Sequence, residues 1–171
     1  MAGPHTIRLA EMGELGQVES IERHAAQAFE DAGVHVEPTS MPEDELAEAV
    51  RAGLLWVAVE EDGTVVGFAM AEDRRPDLLL RELDVHPDRA RRGYGRALLD
   101  HVSDRARGLG YQQMVLTTFR DVPFNAPWYL RYGFGLVLPD TMPDWLVEIR
   151  RAEEDLGLDA LGPRVAMALT L

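Results

Sequence analysis

Cysteine is absent from the chain, and so is lysine: all 17 of its Lys and Arg residues are arginine. Lacking cysteine, the protein has no disulfide and no thiolate nucleophile, and its composition fits a reducing, cytoplasmic setting. Lacking lysine, it has no P-loop, whose phosphate cradle needs Gly-Lys-Ser/Thr. No apolar run reaches membrane-spanning length, and the opening MAGPHTIRL lacks the apolar core of a signal peptide, so no membrane partner is expected. Positive charge is scarce: a net charge of −13 argues against nucleic acid as a partner. His24 and His35 lack a second ligand type at metal spacing; they read as surface or boundary histidines, and no metal is expected. Repeats, low-complexity tracts and linkers are missing as well. Residues 1–171 are therefore expected to form one domain, for which 46% hydrophobic composition is ample.

The most informative stretch present runs from Leu79 to Leu99. Leu79, Leu83 and Val85 alternate with polar residues as a half-buried strand does, and Pro87 ends it. Gly93 and Gly95 follow, preceded by Arg89, Arg91 and Arg92 and followed by Arg96. From there Tyr94, Ala97, Leu98, His101, Val102, Ala106 and Leu109 recur at helical spacing. A helix N-terminus exposes unpaired N–H groups and the positive end of its dipole, and glycines let an anion approach closely. Phosphate suits such a turn; a close-packed junction with solvated arginines is the plainer alternative. A Rossmann fingerprint would need a third glycine where Leu98 stands. Six of the 17 arginines fall between Arg89 and Arg107. Base here and acid elsewhere fits an anionic cofactor with a cationic substrate, although a charge run is also the mark of a solvated face.

In chain order, Thr6–Leu9 reads as a short strand. Leu15, Val18, Ile21, Ala25, Ala28 and Phe29 line a helix that ends near Gly33. After an irregular link over residues 30–41, a second helix is expected from Pro42 to Gly53. Leu54–Val59 and Thr64–Met70 form a hairpin through Asp62-Gly63, with Trp56 in the core. The residues Arg74 to Asp77 turn the chain into the strand described above. Its helix stops near Gly108 and Gly110, and Gln113–Phe119 follows as a strand able to run parallel to it. Asn125 is a good N-cap for a short helix, Ala126–Tyr132, stopped by Gly133; Phe134 begins another strand. Trp145–Leu156 is a plausible amphipathic helix, with Trp145 more simply read as packing than as lining a site. Val165, Met167, Leu169 and Leu171 alternate as a final strand.

Two motifs carry a resemblance. Leu83-x-Val85-x-Pro87, followed by Gly93-x-Gly95-x-x-Leu98, resembles the acetyl-CoA motif of the GNAT N-acetyltransferase superfamily. Tyr129-x-x-x-Gly133-Phe134 resembles that superfamily's second signature, at the right distance, and the Pro-aromatic-Asn-Ala-Pro-aromatic-Tyr run from Pro123 to Tyr129 looks like one of its bacterial branches. The strong resemblance spans roughly residues 78–138. It implies an α/β (α+β) fold with a mixed, mostly antiparallel central sheet flanked by helices, here with an extra helix before the last strand.

The resemblance also implies an acetyl-CoA-dependent N-acetyltransferase. The backbone of Leu83, Asp84 and Val85 would bind the pantetheine arm and polarise the thioester. Arg91, Arg92, Gly93, Tyr94, Gly95 and Arg96 would hold the pyrophosphate, and Asn125 would contact the CoA arm. Tyr129 would protonate the leaving thiolate; the plainer alternative makes Trp128, Tyr129 and Tyr132 merely the aromatic face of a helix. Two positions depart from the superfamily pattern. Ala90 stands where Arg or Gln is frequent, and Thr117 and Thr118 occupy a region that often carries a basic glutamate. Glu82 is then the first candidate for the base, sharing a face with Asp84 on a regular strand, with a solvated or arginine-paired carboxylate as the alternative. Glu30, Asp31 and Glu37, in the link that usually helps cover the acceptor, are candidates to meet a cationic substrate, or solvated loop acids. With no cysteine to carry the acetyl group, transfer would be direct. The expected acceptor is a small-molecule amine, with a protein amine second and a silent CoA-binding sensor as the rival. The chain could pair as a homodimer.

Overall fold

The computed structural model describes residues 5–37 and 40–171. The elements follow in the order β1 (His5–Leu9), α1 (Leu15–Asp31), α2 (Glu43–Ala52), β2 (Leu55–Glu60), β3 (Val65–Arg74), β4 (Asp77–Val85), α3 (Tyr94–Gly108), β5 (Gln113–Phe119), α4 (Ala126–Tyr132), β6 (Gly135–Val137), α5 (Asp144–Asp155), α6 (Leu158–Leu161) and β7 (Arg164–Thr170). The seven strands form one sheet in the order β1-β2-β3-β4-β5-β7-β6. Every neighbouring pair is antiparallel except β4 with β5. This is the mixed, mostly antiparallel sheet expected from the sequence, with the extra helical segment before the last strand. The short α6 was not anticipated, and β7 lies inside β6 rather than at the edge. No helix among the described residues is long and apolar enough to cross a membrane.

Helices cover both faces. One face packs Trp56, Leu78, Leu80, Met114, Leu116 and Met167 under Tyr94, Leu98 and Val102 of α3 and Tyr129 of α4. The other packs Leu55, Val57, Phe68 and Met70 under Val18 and Ile21 of α1 and Leu46 of α2. Farther along that second face, Val115 and Ala166 meet Leu146 of α5. Trp145 packs beside this last group, as the plainer reading of the sequence had it.

Two irregularities in β4 position the site. First, β4 pairs with β5 only through Asp77, Leu78 and Leu79, opposite Gln113, Met114 and Val115; beyond Leu79 no further β4–β5 pairing occurs. The far half of β4 therefore has one backbone edge without a strand partner.

Second, the β3–β4 register jumps between Met70, opposite Glu82, and Ala71, opposite Leu80, leaving Arg81 as the extra residue of a bulge. Because side-chain direction alternates residue by residue, one extra residue exchanges the two faces. Leu78 and Leu80 before the bulge and Leu83 and Val85 after it all pack toward α3, whereas Glu82 and Asp84 lie on the face of Phe68 and Met70, toward α1. The expected single face of Leu79, Leu83 and Val85 is thus corrected: Leu79 is buried on the opposite side, paired with Val115.

A close approach supports this bend. A Cβ on Gly67 would lie 2.9 Å from the Asp84 carbonyl oxygen and 3.2 Å from side-chain atoms of Leu98 and Val85. Only glycine lets β3 sit this tightly against the end of β4.

Candidate active site

The Glu82 and Asp84 side chains stand together on the α1 face of the split, partly open to solvent but enclosed by protein. Burial opposes ionisation of both. It pushes Glu82 up to about 7, helped by the negative charge of Glu22 and opposed by Arg164 and Arg81. Asp84 is also raised well above the usual carboxylate range, by burial and then by Glu82 and Glu22. Two neighbouring carboxylates that cannot both ionise freely hold one proton between them near neutral pH. Such a pair can take a proton from an incoming group.

Tyr129 reaches the split from the other face. It is only 9% exposed and is held edge-on by Trp128 at 4.9 Å and Phe134 at 5.3 Å between ring centroids. Burial, then the negative charge of Glu82 and Asp84, raises its phenol well above its ordinary value. The phenol consequently stays protonated across the physiological range, a proton donor within the electrostatic reach of Glu82 and Asp84. The Tyr129 ring is therefore core as well as candidate acid, which merges the two readings of that residue.

Asn125 occupies the N-cap position of α4, but its side chain does not cap the helix. Its Oδ1 accepts instead from Thr118 Oγ1 at 2.8 Å, while its backbone carbonyl accepts from the N–H groups of Trp128 and Tyr129 at 2.8 and 3.0 Å. Asn125 thus ties α4 to β5, the strand on the far side of the split, and its side-chain NH₂ remains the group available to a ligand.

At the glycine turn, Gly93 adopts φ 94° immediately before α3, and Arg91 is also left-handed at φ 59°. The first backbone bond into the helix runs from the Ala97 N–H to the Gly93 carbonyl at 2.9 Å. The N–H groups from Arg91 to Arg96 have no acceptor among the described residues. A Cβ on Gly95 would make only ordinary contacts, at 3.7 Å to Leu83 and 3.8 Å to Val85, so the protein itself does not require glycine there. Bare amides with that space beside them fit a diphosphate.

The side chains around this turn divide. Arg91 and Arg92 are exposed, with no carboxylate partner among the described residues. Arg96 lies on Tyr132, 4.6 Å from the ring centroid, and donates to both carboxylate oxygens of Asp100 at 3.2 Å. Tyr94 is 1% exposed, and its hydroxyl donates to Glu60 at 2.6 Å, beside Arg89, which donates to the same oxygen at 3.0 Å. With its hydroxyl bonded to Glu60, Tyr94 offers an anion at this turn its backbone N–H.

The link acids are engaged elsewhere. Glu30 pairs with His35, Glu37 lies 3.3 Å from the same ring, and Asp31 accepts from Gln27 at 3.0 Å. His35 is raised by these two carboxylates, first by its hydrogen bond to Glu30, so it is not the isolated histidine the sequence suggested. Glu30 and His35 line an open groove of about 680 Å³ together with His24 and His86, whose rings lie 4.9 Å apart; neither Glu82 nor Tyr129 lines it.

Two acids that the sequence did not single out face the site. Glu22, on the buried side of α1, accepts from the Met41 N–H at 2.7 Å; its position one turn after Val18 was the available signal. Glu153 of α5 accepts from Arg164 at 2.9 Å and bonds Thr117 and Arg150. Burial alone would raise Glu153, but these three partners hold it below the usual range. Local spacing offers only the i,i+3 pair of Arg150 with Glu153; Thr117 and Arg164 come from distant strands.

Residues 18–134 match the sequence model of the acetyltransferase (GNAT) family. The chain belongs to that family. Within the GNAT family it is similar to an amino-acid acetyltransferase of Shewanella oneidensis, 30% identical over 111 residues, which are 61% of this chain and 24% of that protein. Its fold matches N-acetylglutamate synthase from Neisseria gonorrhoeae complexed with coenzyme A and N-acetyl-glutamate, at TM-score 0.75 and 18% identity, covering 100% of this chain and 36% of the other. It also matches the PaiA N-acetyltransferase from Thermoplasma acidophilum in complex with coenzyme A, at TM-score 0.76 and 16% identity, over 99% of this chain and 100% of the other. The chain thus spans about a quarter of the length of its curated relative.

Proposed function

We propose that this GNAT protein moves the acetyl group of acetyl-CoA to the amine of a small molecule by direct attack within a ternary complex. The observation that carries the reading is the split between β4 and β5, with two proton-sharing carboxylates on one face and a protonated phenol on the other. The unpaired amides from Arg91 to Arg96, with the guanidinium groups of Arg91 and Arg92, fit the diphosphate, and the Asn125 side-chain NH₂ would contact the arm. Bound there, acetyl-CoA supplies an activated acyl group. The Neisseria neighbour's N-acetyl-glutamate supports a small acceptor.

An alkyl ammonium with pKa about 10.4 is only about one part in 2,500 neutral at pH 7, a deficit of roughly 5 kcal/mol. The Glu82–Asp84 pair takes that proton, leaving the amine lone pair free to form the new C–N bond. As the C–S bond breaks, Tyr129 holds its proton toward the departing sulfur. Backbone N–H groups on the open edge around Leu83–Val85 are donors for the carbonyl oxygen, where one well-aimed donor lowers a barrier by roughly 3 kcal/mol. As the C–N bond forms, the second N–H proton passes to the Tyr129 oxygen in place of the one given to sulfur, and the proton held by the carboxylate pair leaves to solvent, so one ammonium and one thioester give an N-acetylated amine, free CoA thiol and one proton.

A free-thiol release assay with acetyl-CoA and an amine panel tests this directly. Turnover is expected, and Tyr129→Phe should lower kcat about 100-fold or more while calorimetric CoA affinity stays within about threefold. Gly93→Asp, which places an anion and a side chain on the left-handed cap, should abolish CoA binding. Tight CoA binding without turnover on a broad panel would make the protein a CoA sensor instead.

A further inference from the structure

The acceptor side of the split gathers acidic side chains, and among the described residues the arginines nearest to it are already paired with other carboxylates. Glu22 is half-buried, and burial raises its carboxyl above the usual range despite the Met41 N–H bonded to it. Glu22 belongs to α1, the helix that packs over the face carrying Glu82 and Asp84, and its charge helps raise both.

The neighbouring arginines are each committed. Arg164 gives Nε and Nη2 to Glu153 at 3.2 and 2.9 Å and stacks on Phe119, 4.7 Å from the ring centroid. Arg150 pairs with Glu153 and with Asp159 at 2.9 Å. Arg81 bonds Glu72 at 2.9 Å and reaches Glu45 at 3.5 Å, and Arg23 lies 3.7 Å from Glu19. The Arg164–Arg150–Glu153–Asp159 group is formally neutral, and the chain has no lysine.

We propose that the acceptor is a small amine that carries a second positive charge and no carboxylate, a linear diamine or polyamine, and that Glu22 determines this preference by receiving the distal cation. The inference rests on reading the Glu82–Asp84 face as the acceptor side. One ammonium gives up its proton to the carboxylate pair and reacts. The second keeps its charge and meets Glu22, whose Met41 hydrogen bond fixes the carboxylate in place. An acceptor with a carboxylate at that end would bring a fourth acidic group beside three that already resist ionisation, in a space where, among the described residues, every neighbouring arginine is already paired. The same charge balance disfavours an acidic α-amino acid, even though a curated relative is an amino-acid acetyltransferase.

Three probes of similar length separate the cases: 1,4-diaminobutane, n-butylamine and 4-aminobutanoate, compared by kcat/KM in the thiol-release assay at saturating acetyl-CoA. The diamine should exceed the monoamine at least tenfold, and the monoamine should exceed the amino acid at least tenfold. Glu22→Gln keeps an oxygen for the Met41 N–H but loses the charge. It should shrink the diamine-to-monoamine ratio to within about threefold of unity, mainly through the diamine KM, with Glu22→Asp recovering part of the ratio. A melting curve on each variant separates loss of fold from loss of selectivity.

Turnover with a flat ratio, an amino acid preferred, or a ratio unchanged in Glu22→Gln would overturn the diamine assignment while leaving acetyl transfer intact. Turnover confined to protein amines would overturn it too. No turnover with any amine would count against the transfer reading, and calorimetry of the same probes on the CoA-loaded protein would then read the charge preference independently. Equal binding of diamine and monoamine there overturns it.

Discussion

At the residue scale the proposed chemistry turns on one proton shared by Glu82 and Asp84. Both carboxyls are raised by burial and by each other, so their protons are lost at higher pH in the folded chain than in the unfolded one. The stabilising contribution is complete below about pH 4, where both states are protonated, and is lost as the pH rises toward and through 7. Activity runs the other way, because the pair accepts a proton only after losing one. The acid limb of the kcat/KM profile should accordingly have its midpoint near pH 7 rather than in the ordinary carboxylate range. In Glu82→Gln that limb should move and kcat fall by about 100-fold. The same variant should melt higher than wild type at pH 8, with little difference at pH 4, since the amide removes a charge that folding has to bury. A variant that lost activity but showed the same pH-dependence of melting would mean that Glu82 is solvated rather than strained. Sequence reached Glu82 as a candidate from strand alternation. It could not reach the perturbation, which depends on Glu22 from α1 and on Arg164 from β7.

At the element scale the bulge at Arg81 decides which face of the sheet holds the acids. Without it, Glu82 and Asp84 would share the face of Leu78 and Leu80 and point under α3. The run LLLRELDV shows apolar and polar positions but not the skipped partner, since a bulge is a property of two strands and only one is visible in the local pattern. Helix ends were more legible: Gly53 and Gly133 stop their helices where expected, because a left-handed or otherwise positive φ is a local demand that glycine alone meets cheaply. Asn125 takes the N-cap position expected of it, but its side chain is drawn across to Thr118 on another strand, a partner that the local pattern does not show. Gly67 offers a test of how firmly the bent end of β4 is held. Gly67→Ala forces a methyl to within 2.9 Å of the Asp84 carbonyl oxygen, and overpacking of this kind costs about 1–3 kcal/mol. Melting temperature should fall by several degrees, and because the displaced strand carries the proposed catalytic pair, kcat should fall more than the loss of folded protein explains. A well-folded variant with unaltered kcat would show that β4 tolerates the shift.

At the scale of the whole molecule the charge distribution sets opposing demands on the two substrates. A net charge of −13 repels an anionic coenzyme and attracts a cationic acceptor, while Arg91 and Arg92 form a local exception at the glycine turn. Salt separates the long-range field from the contacts, since the screening length falls from about 30 Å at 0.01 M to about 3 Å at 1 M. For a cationic acceptor, screening removes only attraction, and kcat/KM should decline steadily, by about tenfold from 0.01 to 0.5 M NaCl. For acetyl-CoA, screening relieves the general repulsion and weakens the arginine contacts at once, so its apparent KM should change far less. Replacing Arg91 and Arg92 together with alanine removes the local attraction and leaves the repulsion. In that variant added salt should lower the acetyl-CoA KM, reversing whatever residual trend the wild type shows, and the acceptor's salt dependence should keep its sign. If the acetyl-CoA KM of the double variant instead rose with salt as steeply as the acceptor's, the attraction for the diphosphate would reside in other charges, and the turn before Gly93 would hold it through backbone amides alone.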